Sequence, residues 1–385
     1  MKKGGLIIIC FFYSIVIYAS PVLDDSVFLK KRIHLIHLMD QLQVKEGKSF
    51  LYGSFPSVRK YYYGSQYKEE DNIFFTLLIL WNLEQFKAKM LPEEMVYLAQ
   101  FKKKASPYIE RFKNQKNQLT YNFWPRNPPQ IFPNGGWLNI FNKMSALADD
   151  IDDGAIALLA LGANDSLAKA MQSKFGEYRV GLIKPNQSFY KQYRDRPVYS
   201  TWLGHKMPKD VDLSVLTNVL LMHTIAKIPL NATDSASLDL IVDLIKSKKH
   251  LTDPTIVSQH YAHTATILYH VSRLMSYSDY PALLALKPLL LEQSLQLSKQ
   301  ARFPLEQLLL NTSILRLGGQ INVPLDVSEA SLSANNFPYF VNNIACILRN
   351  PFKRIVNASN IVRFDCYSYA FNLSLLYENL VLRGN

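Results

Sequence analysis

The stretch "ALADDIDDGAIALLALGA", residues 146–163, decides the fold. It places four carboxylates, Asp149, Asp150, Asp152 and Asp153, within five positions and follows them with a nearly unbroken apolar run. A helix that is apolar all round is buried on every side. Only its amino-terminal mouth is left to meet water or a ligand, and the positive end of the helix dipole favours negative charge there.

Five more segments share the pattern of a polar or charged start followed by an apolar stretch. They are "DNIFFTLLILWNLEQF" (71–86), "DVDLSVLTNVLLMHTIA" (210–226), "HYAHTATILYHVSRLM" (260–275), "FPLEQLLLNTSILRLGG" (303–319) and "FDCYSYAFNLSLLYENL" (364–380). Amphipathic segments alternate with them, at 91–114, 164–175, 234–248 and 280–300. Strand-like alternation is nearly absent, and no Gly-rich phosphate loop occurs. Alternating buried and amphipathic helices predict an inner ring with an outer cover, an all-α fold of the α/α-toroid type with about six helix pairs. The inner helices then run the same way. Asp71, Asp149 to Asp153, Asp210, Asp212, His260, Glu306 and Asp365 converge at one end.

The sequence "DDIDDGA" resembles the D-x-D-D-T-A motif of class II terpene cyclases. "TWL" (201–203) with "DVDLSVLTNVL" (210–220) is similar to a second recurring segment of the terpenoid cyclase/prenyltransferase α/α-toroid superfamily, in its exported bacterial branch. "FFTLLIL", "YHVSRLM" and "PLEQLLLNTSILRLGG" follow in matching order, so the likeness spans roughly residues 50–380. It implies Asp150, Asp152 and Asp153 as the catalytic carboxylates. Asp152, the middle one, would protonate an alkene or epoxide. An acid crowded by like charges holds its proton near neutrality, and aromatic walls stabilise a carbocation. Asp212, Asp210, Asn218, Trp202, His260, Tyr269 and Glu306 are the expected cavity and substrate-binding residues, with Phe74, Phe75, Trp81 and Tyr369 as further aromatic lining. The chain departs from the motif at Gly154, where the cyclases carry Thr, and it lacks their Q-W repeats.

Other readings of the same residues stay open. Asp149, Asp150 and Asp153 also spell D-D-x-x-D, a Mg2+–diphosphate pattern, although no second metal motif accompanies it. A carboxylate cluster at a helix start also serves as a cap with solvated charge. His260 and His263 share a helix face without a third ligand nearby. The function classes are acid catalysis on a lipid or terpenoid, a non-catalytic binding toroid, and a glycan-processing hydrolase or lyase with paired carboxylates. No cofactor is required by the first of these.

The chain has 385 residues, of which 48% are hydrophobic and 19% charged, with a formal net charge of +12. That composition gives a folded chain with a sizeable core. Residues 1–20, "MKKGGLIIICFFYSIVIYAS", read as a signal peptide: two lysines, a short apolar core and a small-residue cleavage site. The toroid domain is then 21–385, exported to the periplasm or secreted. Cys346 and Cys366 form a disulfide or stay as two thiols. The basic run 101–117 reads as a solvated outer helix face, with a membrane surface as the other partner. No nucleic-acid module is recognisable. The segment "NFWPRNPPQIFPNGGW" (122–137) is too apolar for a free linker and reads as a loop folded over the cavity mouth.

Overall fold

A computed structural model describes residues 25–47, 50–116, 119–126, 148–162, 164–181, 186, 189–204, 207, 209–321, 327–343, 345 and 348–384. The segment read as a signal peptide, residues 127–137 of the loop at 122–137 and the Cys346 end of the proposed disulfide lie outside these residues. The chain opens with α1 (Asp25–Leu42), strands β1 (Val58–Tyr61) and β2 (Tyr67–Glu69), α2 (Ile73–Glu84) and α3 (Pro92–Ile109). Next come α4 (Ile151–Leu161), α5 (Asp165–Gly176), α6 (Leu213–Ile225), α7 (Ala232–Lys246), α8 (Lys249–Thr252) and α9 (Pro254–Val257). The remainder is α10 (Thr264–Met275), α11 (Pro281–Leu284), α12 (Lys287–Ser298), α13 (Pro304–Arg316), α14 (Glu329–Leu332), β3 (Phe340–Asn343), α15 (Phe352–Ser359), β4 (Arg363–Tyr367) and α16 (Tyr369–Arg383). The protein is therefore mostly helical.

The six apolar segments supply α2, α4, α6, α10, α13 and α16, and most of their residues are buried. Each packs on the next in that order, and α16 returns to pack on α2. The amphipathic segments lie outside them: α3 on α2, α5 on α4 and α6, α7 on α6, and α12 on α10 and α13. Polar starts act as caps, because the first backbone N–H groups of a helix have no partner within it. Asn72 accepts from Phe75 N, Asp150 from Asp153 N, and Asp212 from Ser214 N and Val215 N. Gly154 has its own packing reason. A Cβ there would stand 2.9 Å from Met171 Cε and 3.1 Å from Phe175 Cζ, so a larger residue would need these two side chains of α5 to give way.

Two expectations need correction. The fold is not all-α: β2-β1-β4-β3 form a four-stranded antiparallel sheet, with Val58 opposite Tyr367 and Phe340 opposite Cys366. Residues 364–367, expected at the start of the last inner helix, belong to strand β4. Their neighbours show why. Asn360 ends α15 in the left-handed region (φ 54°), and Tyr62 N donates to Arg363 O at 3.0 Å, which ties the segment to β1. Arg363 and Asp365 then share one strand face, where Arg363 Nε donates to Asp365 Oδ1 at 2.6 Å. The basic run behaves as an outer face: Lys102 pairs with Glu84 at 2.8 Å and Lys104 with Asp40 at 3.0 Å. Among the described residues no helix is long and apolar enough to cross a membrane.

Candidate active site

Asp150 builds the mouth of α4. Its backbone is extended (φ −116°, ψ 162°), and its Oδ1 accepts from Asp153 N at 2.7 Å. The same residue bridges Tyr121 on one side and Trp202 on the other, while Ile151 N donates to Thr201 O at 3.0 Å. Those bonds draw the chain around 121–124 and 201–202 over the helix start.

Asp152 sits in the first turn, and both its oxygens accept. The Tyr261 hydroxyl donates to Oδ2 at 2.5 Å and Asn218 Nδ2 donates to Oδ1 at 2.7 Å. The Asn218 amide is oriented by Arg273, whose Nη2 donates to Asn218 Oδ1 at 2.6 Å. A guanidinium has only donors, so the amide oxygen faces Arg273 and the NH2 faces Asp152.

Two donors favour the ionised form of Asp152, yet burial together with the charges of Asp150 and Asp212 outweighs them and pushes it up to about 7. Burial, with Asp149 adding to it, pushes Asp150 up to about 6 against the pull of its own cap bonds and of His260. Burial and the Asp150 and Asp152 charges drive Asp153 well above the usual carboxylate range. A carboxyl-to-carboxyl hydrogen bond with Asp150 adds to this rise and favours the ionised form of Asp150.

Asp150 and Asp152 border a cavity of about 40 Å³. Its aromatic walls are Phe123, Trp124, Trp202 and Phe340. His260 closes one side, its ring stacked 6.1 Å from Phe340 and edge-on to Trp202 at 6.0 Å. Asp212 holds His260 in place, because its Oδ2 accepts from His260 N at 2.8 Å while its Oδ1 caps α6 and accepts from Ser258 Oγ at 2.5 Å. Asp210 lies behind, fully buried, 3.7 Å from His260 Nε2 and 3.6 Å from Lys353 Nζ. Burial alone would raise Asp210; the Lys353 and His260 charges hold it below its ordinary value. Burial alone would lower His260, but Asp210, Asp212 and Asp150 raise it.

The structure thus gathers Asp150, Asp152, Asp210, Asp212, Trp202 and His260 around one mouth, with Asn218 just beneath. Two expected cavity residues, and two acids expected to converge with them, have partners elsewhere. Tyr269 lies deeper between the helices, where its hydroxyl donates to Glu378 Oε2 at 2.7 Å. Glu306 turns back to accept from Arg302 N at 3.0 Å and serves the start of α13. Asp71 accepts from the Tyr108 hydroxyl at 2.9 Å, and Asp365 belongs to the sheet.

Among the expected aromatic residues, Phe74 stands behind the wall, 4.7 Å from the Phe340 ring, and Phe75 packs on Phe371. Trp81 is buried along α2, and Tyr369 is only partly buried at the start of α16. Phe340, Tyr261 and Tyr339 were missed. Phe123 and Trp124 were legible as part of an apolar loop over the mouth.

In the D-D-x-x-D reading Asp149 is the first acid. Asp149 is taken up by Asn114 Nδ2 (2.6 Å), Thr120 Oγ1 (2.5 Å), Asn122 Nδ2 (3.3 Å) and Arg126. Among the described residues no three His, Cys, Asp or Glu are grouped to hold a metal ion. His263 faces Arg363 rather than His260, and burial with the Arg363 charge pushes it down to about 3.

Below the mouth, among the described residues, buried polar side chains lie between the six helices. His270 lies 3.1 Å from Asn218 Oδ1 through Nδ1 and shares a hydrogen bond with the Tyr339 hydroxyl at Nε2 (2.9 Å). Arg273, Tyr269, Glu378 and Arg316 continue the chain of polar groups. Compared with protein-family models, curated proteins and solved structures, the chain shows no match.

Proposed function

We propose that the six mutually packed helices form the inner ring of an α/α toroid and that its acidic mouth is a general-acid site, as in terpenoid cyclases. The observation that carries this reading is Asp152: a carboxyl raised to about 7, held by two fixed donors and facing a cavity with four aromatic walls. A buried acid titrating near neutrality suits proton donation at physiological pH. In this reading the Asp152 proton passes to an alkene carbon or epoxide oxygen at the end of an apolar chain. The carboxylate left behind keeps its bonds from Tyr261 and Asn218, and the aromatic faces stabilise the carbocation until it loses a proton to water. Room of about 40 Å³ admits only the tip of such a chain, a few water-sized groups. Residues 1–20 keep their role as an export signal in this proposal.

One observation favours a second reading, a toroid that binds without catalysis. Among the described residues, the bulky side chains of Tyr261, His270, Arg273 and Tyr339 are buried between the helices, where a folded polyene would need room. One experiment separates the two. The purified chain is incubated with acyclic isoprenoid alkenes and terminal epoxides, and with short glycosides as a separate arm, and products are analysed by mass spectrometry. The acid reading expects conversion of an isoprenoid that Asp152→Asn abolishes without lowering the melting temperature. No conversion, or conversion indifferent to Asp152→Asn, overturns it. Glycoside cleavage dependent on Asp150 and Asp152 would move the site to glycan chemistry.

A further inference from the structure

Helix α15, "FKRIVNAS", is built inside out. Surface helices turn their apolar stripe inward. Here Lys353, 1% exposed, and Asn357 face the protein. Lys353 Nζ reaches Asp210, and Asn357 Oδ1 accepts from Asn343 Nδ2 at 2.9 Å. The opposite face carries Phe352 at 67% and Ile355 at 62% exposure, and Ile361 just beyond the helix is 60% exposed. Nothing among the described residues covers them.

The β1–β2 hairpin extends this surface. Its Tyr61, Tyr62, Tyr63 and Tyr67 are all exposed. The Tyr61 hydroxyl donates to Ile361 O at 3.0 Å and the Tyr63 hydroxyl to Ser359 O, so the hairpin and the end of α15 form one continuous face. Exposed Lys68, Arg349 and Arg354 stand on the same elements or beside them, with Glu69 as an exposed acid on β2.

We infer that this face is a docking surface for an anionic lipid bilayer. Protruding Phe and Ile tips, a surround of tyrosines and flanking Lys and Arg are the composition that settles at the headgroup boundary. There apolar tips enter the acyl region, phenols sit at the polar interface and cations meet lipid phosphates. The chain's net charge of +12 adds attraction to such a surface. The face also adjoins the cavity mouth: β3, which supplies Phe340 and Asn342 to the cavity, pairs with β4, and β4 pairs with β1. The inference does not rest on the acid reading of Asp152, and its test measures binding rather than turnover.

The test uses the full chain with vesicles of equimolar phosphatidylcholine and phosphatidylglycerol, and with phosphatidylcholine alone. Residues 1–20 are apolar themselves, so the readout must be local. Amide hydrogen exchange is followed at 61–67 and 352–361 with and without vesicles. Anionic vesicles are expected to protect both segments, less so at high salt or without phosphatidylglycerol. The double variant Phe352→Ser with Ile355→Ser is expected to lose that protection and to bind about tenfold or more weakly. Its urea midpoint should stay unchanged, because both side chains stand in solvent. Three results would overturn the inference. The first is unchanged exchange on adding anionic vesicles. The second is protection already complete without vesicles at every dilution, which would mean the chain covers its own face. The third is protection without vesicles that depends on protein concentration and disappears in the variant with loss of a dimer, which would assign the face to a second copy.

Discussion

Two buried polar clusters lie along the inside of the six packed helices, and they handle charge in opposite ways. At the mouth, Asp150, Asp152 and Asp153 stand together, with His260 as the nearest basic group and all three carboxyls raised. Deeper in, charge is matched at once: Arg316 donates to Glu378 through Nε at 2.8 Å and Nη2 at 2.7 Å, and the Tyr269 hydroxyl fills the other Glu378 oxygen. Asn218 joins the clusters, donating to Asp152 and accepting from Arg273. A compensated network fixes structure. An uncompensated acid cluster keeps protons it would give up in water, which is a property a chemical step can use.

The contrast makes the deep cluster the more fragile one. Glu378→Gln keeps the shape but leaves the Arg316 guanidinium buried without a counter-charge. The expected loss is about 3–5 kcal/mol, the usual cost of orphaning one member of a buried pair, read as a lower urea midpoint. Replacing both partners, Glu378→Gln with Arg316→Met, should recover most of it. A single variant as stable as the parent would show that the deep cluster is not held by this pair.

The mouth should instead reveal itself through pH. Asp152 titrates near 7 when folded and near its ordinary value when unfolded. The folded state therefore binds the extra proton, and stability falls as pH rises from about 4 through 7. Between pH 5 and pH 8 the Asp152 contribution should decline by about 2–3 kcal/mol. Asp152→Asn removes this dependence, so its melting temperature should match the parent at pH 5 and exceed it at pH 8. Parallel pH profiles for parent and variant would mean that Asp152 ionises like a solvated carboxylate.

The same contrast separates what was legible in the sequence from what was not. The six buried helices were legible because "IFFTLLIL" or "SVLTNVLLM" leaves no polar face for water. The mouth was legible in part, since Asp150 and Asp212 announce helix starts two elements apart and the fold brings them together. The sheet was not. Strands of three to five residues such as "YKE" and "RFDCY" carry too few alternations to stand out, and β1 and β4, which pair at the centre of the sheet, lie some three hundred residues apart. Glu306 misled for a local reason. A glutamate four residues after Arg302 can satisfy that backbone N–H by itself, so a charged helix start need not point to a shared cavity. The fates of Asp149 and Asp152 depend on Asn114, Thr120, Tyr261 and Asn218, and no local pattern reports such distant partners.

The smallest expected effect tests whether Asp150 belongs to the mouth or only to the helix. As a cap it accepts from Asp153 N at 2.7 Å, and losing a cap costs about 1 kcal/mol. As a member of the acid cluster it is raised to about 6, so its ionised form is disfavoured in the folded state and its stabilising contribution shrinks as pH rises from about 4 to 6. Asp150→Ala removes both roles. The variant should lose about 1 kcal/mol at pH 5, where the acid is mostly protonated and its oxygen still caps α4. At pH 8 the loss should shrink towards zero, because the deleted charge no longer repels Asp152 and Asp153. Asp150→Asn retains a capping oxygen and sheds the charge, so it should equal the parent at pH 5 and exceed it at pH 8. Thermal melts of the two variants at both pH values make the check. A constant deficit for Asp150→Ala, with Asp150→Asn never above the parent, would reduce Asp150 to a cap and leave Asp152 and Asp153 as the perturbed acids at the mouth.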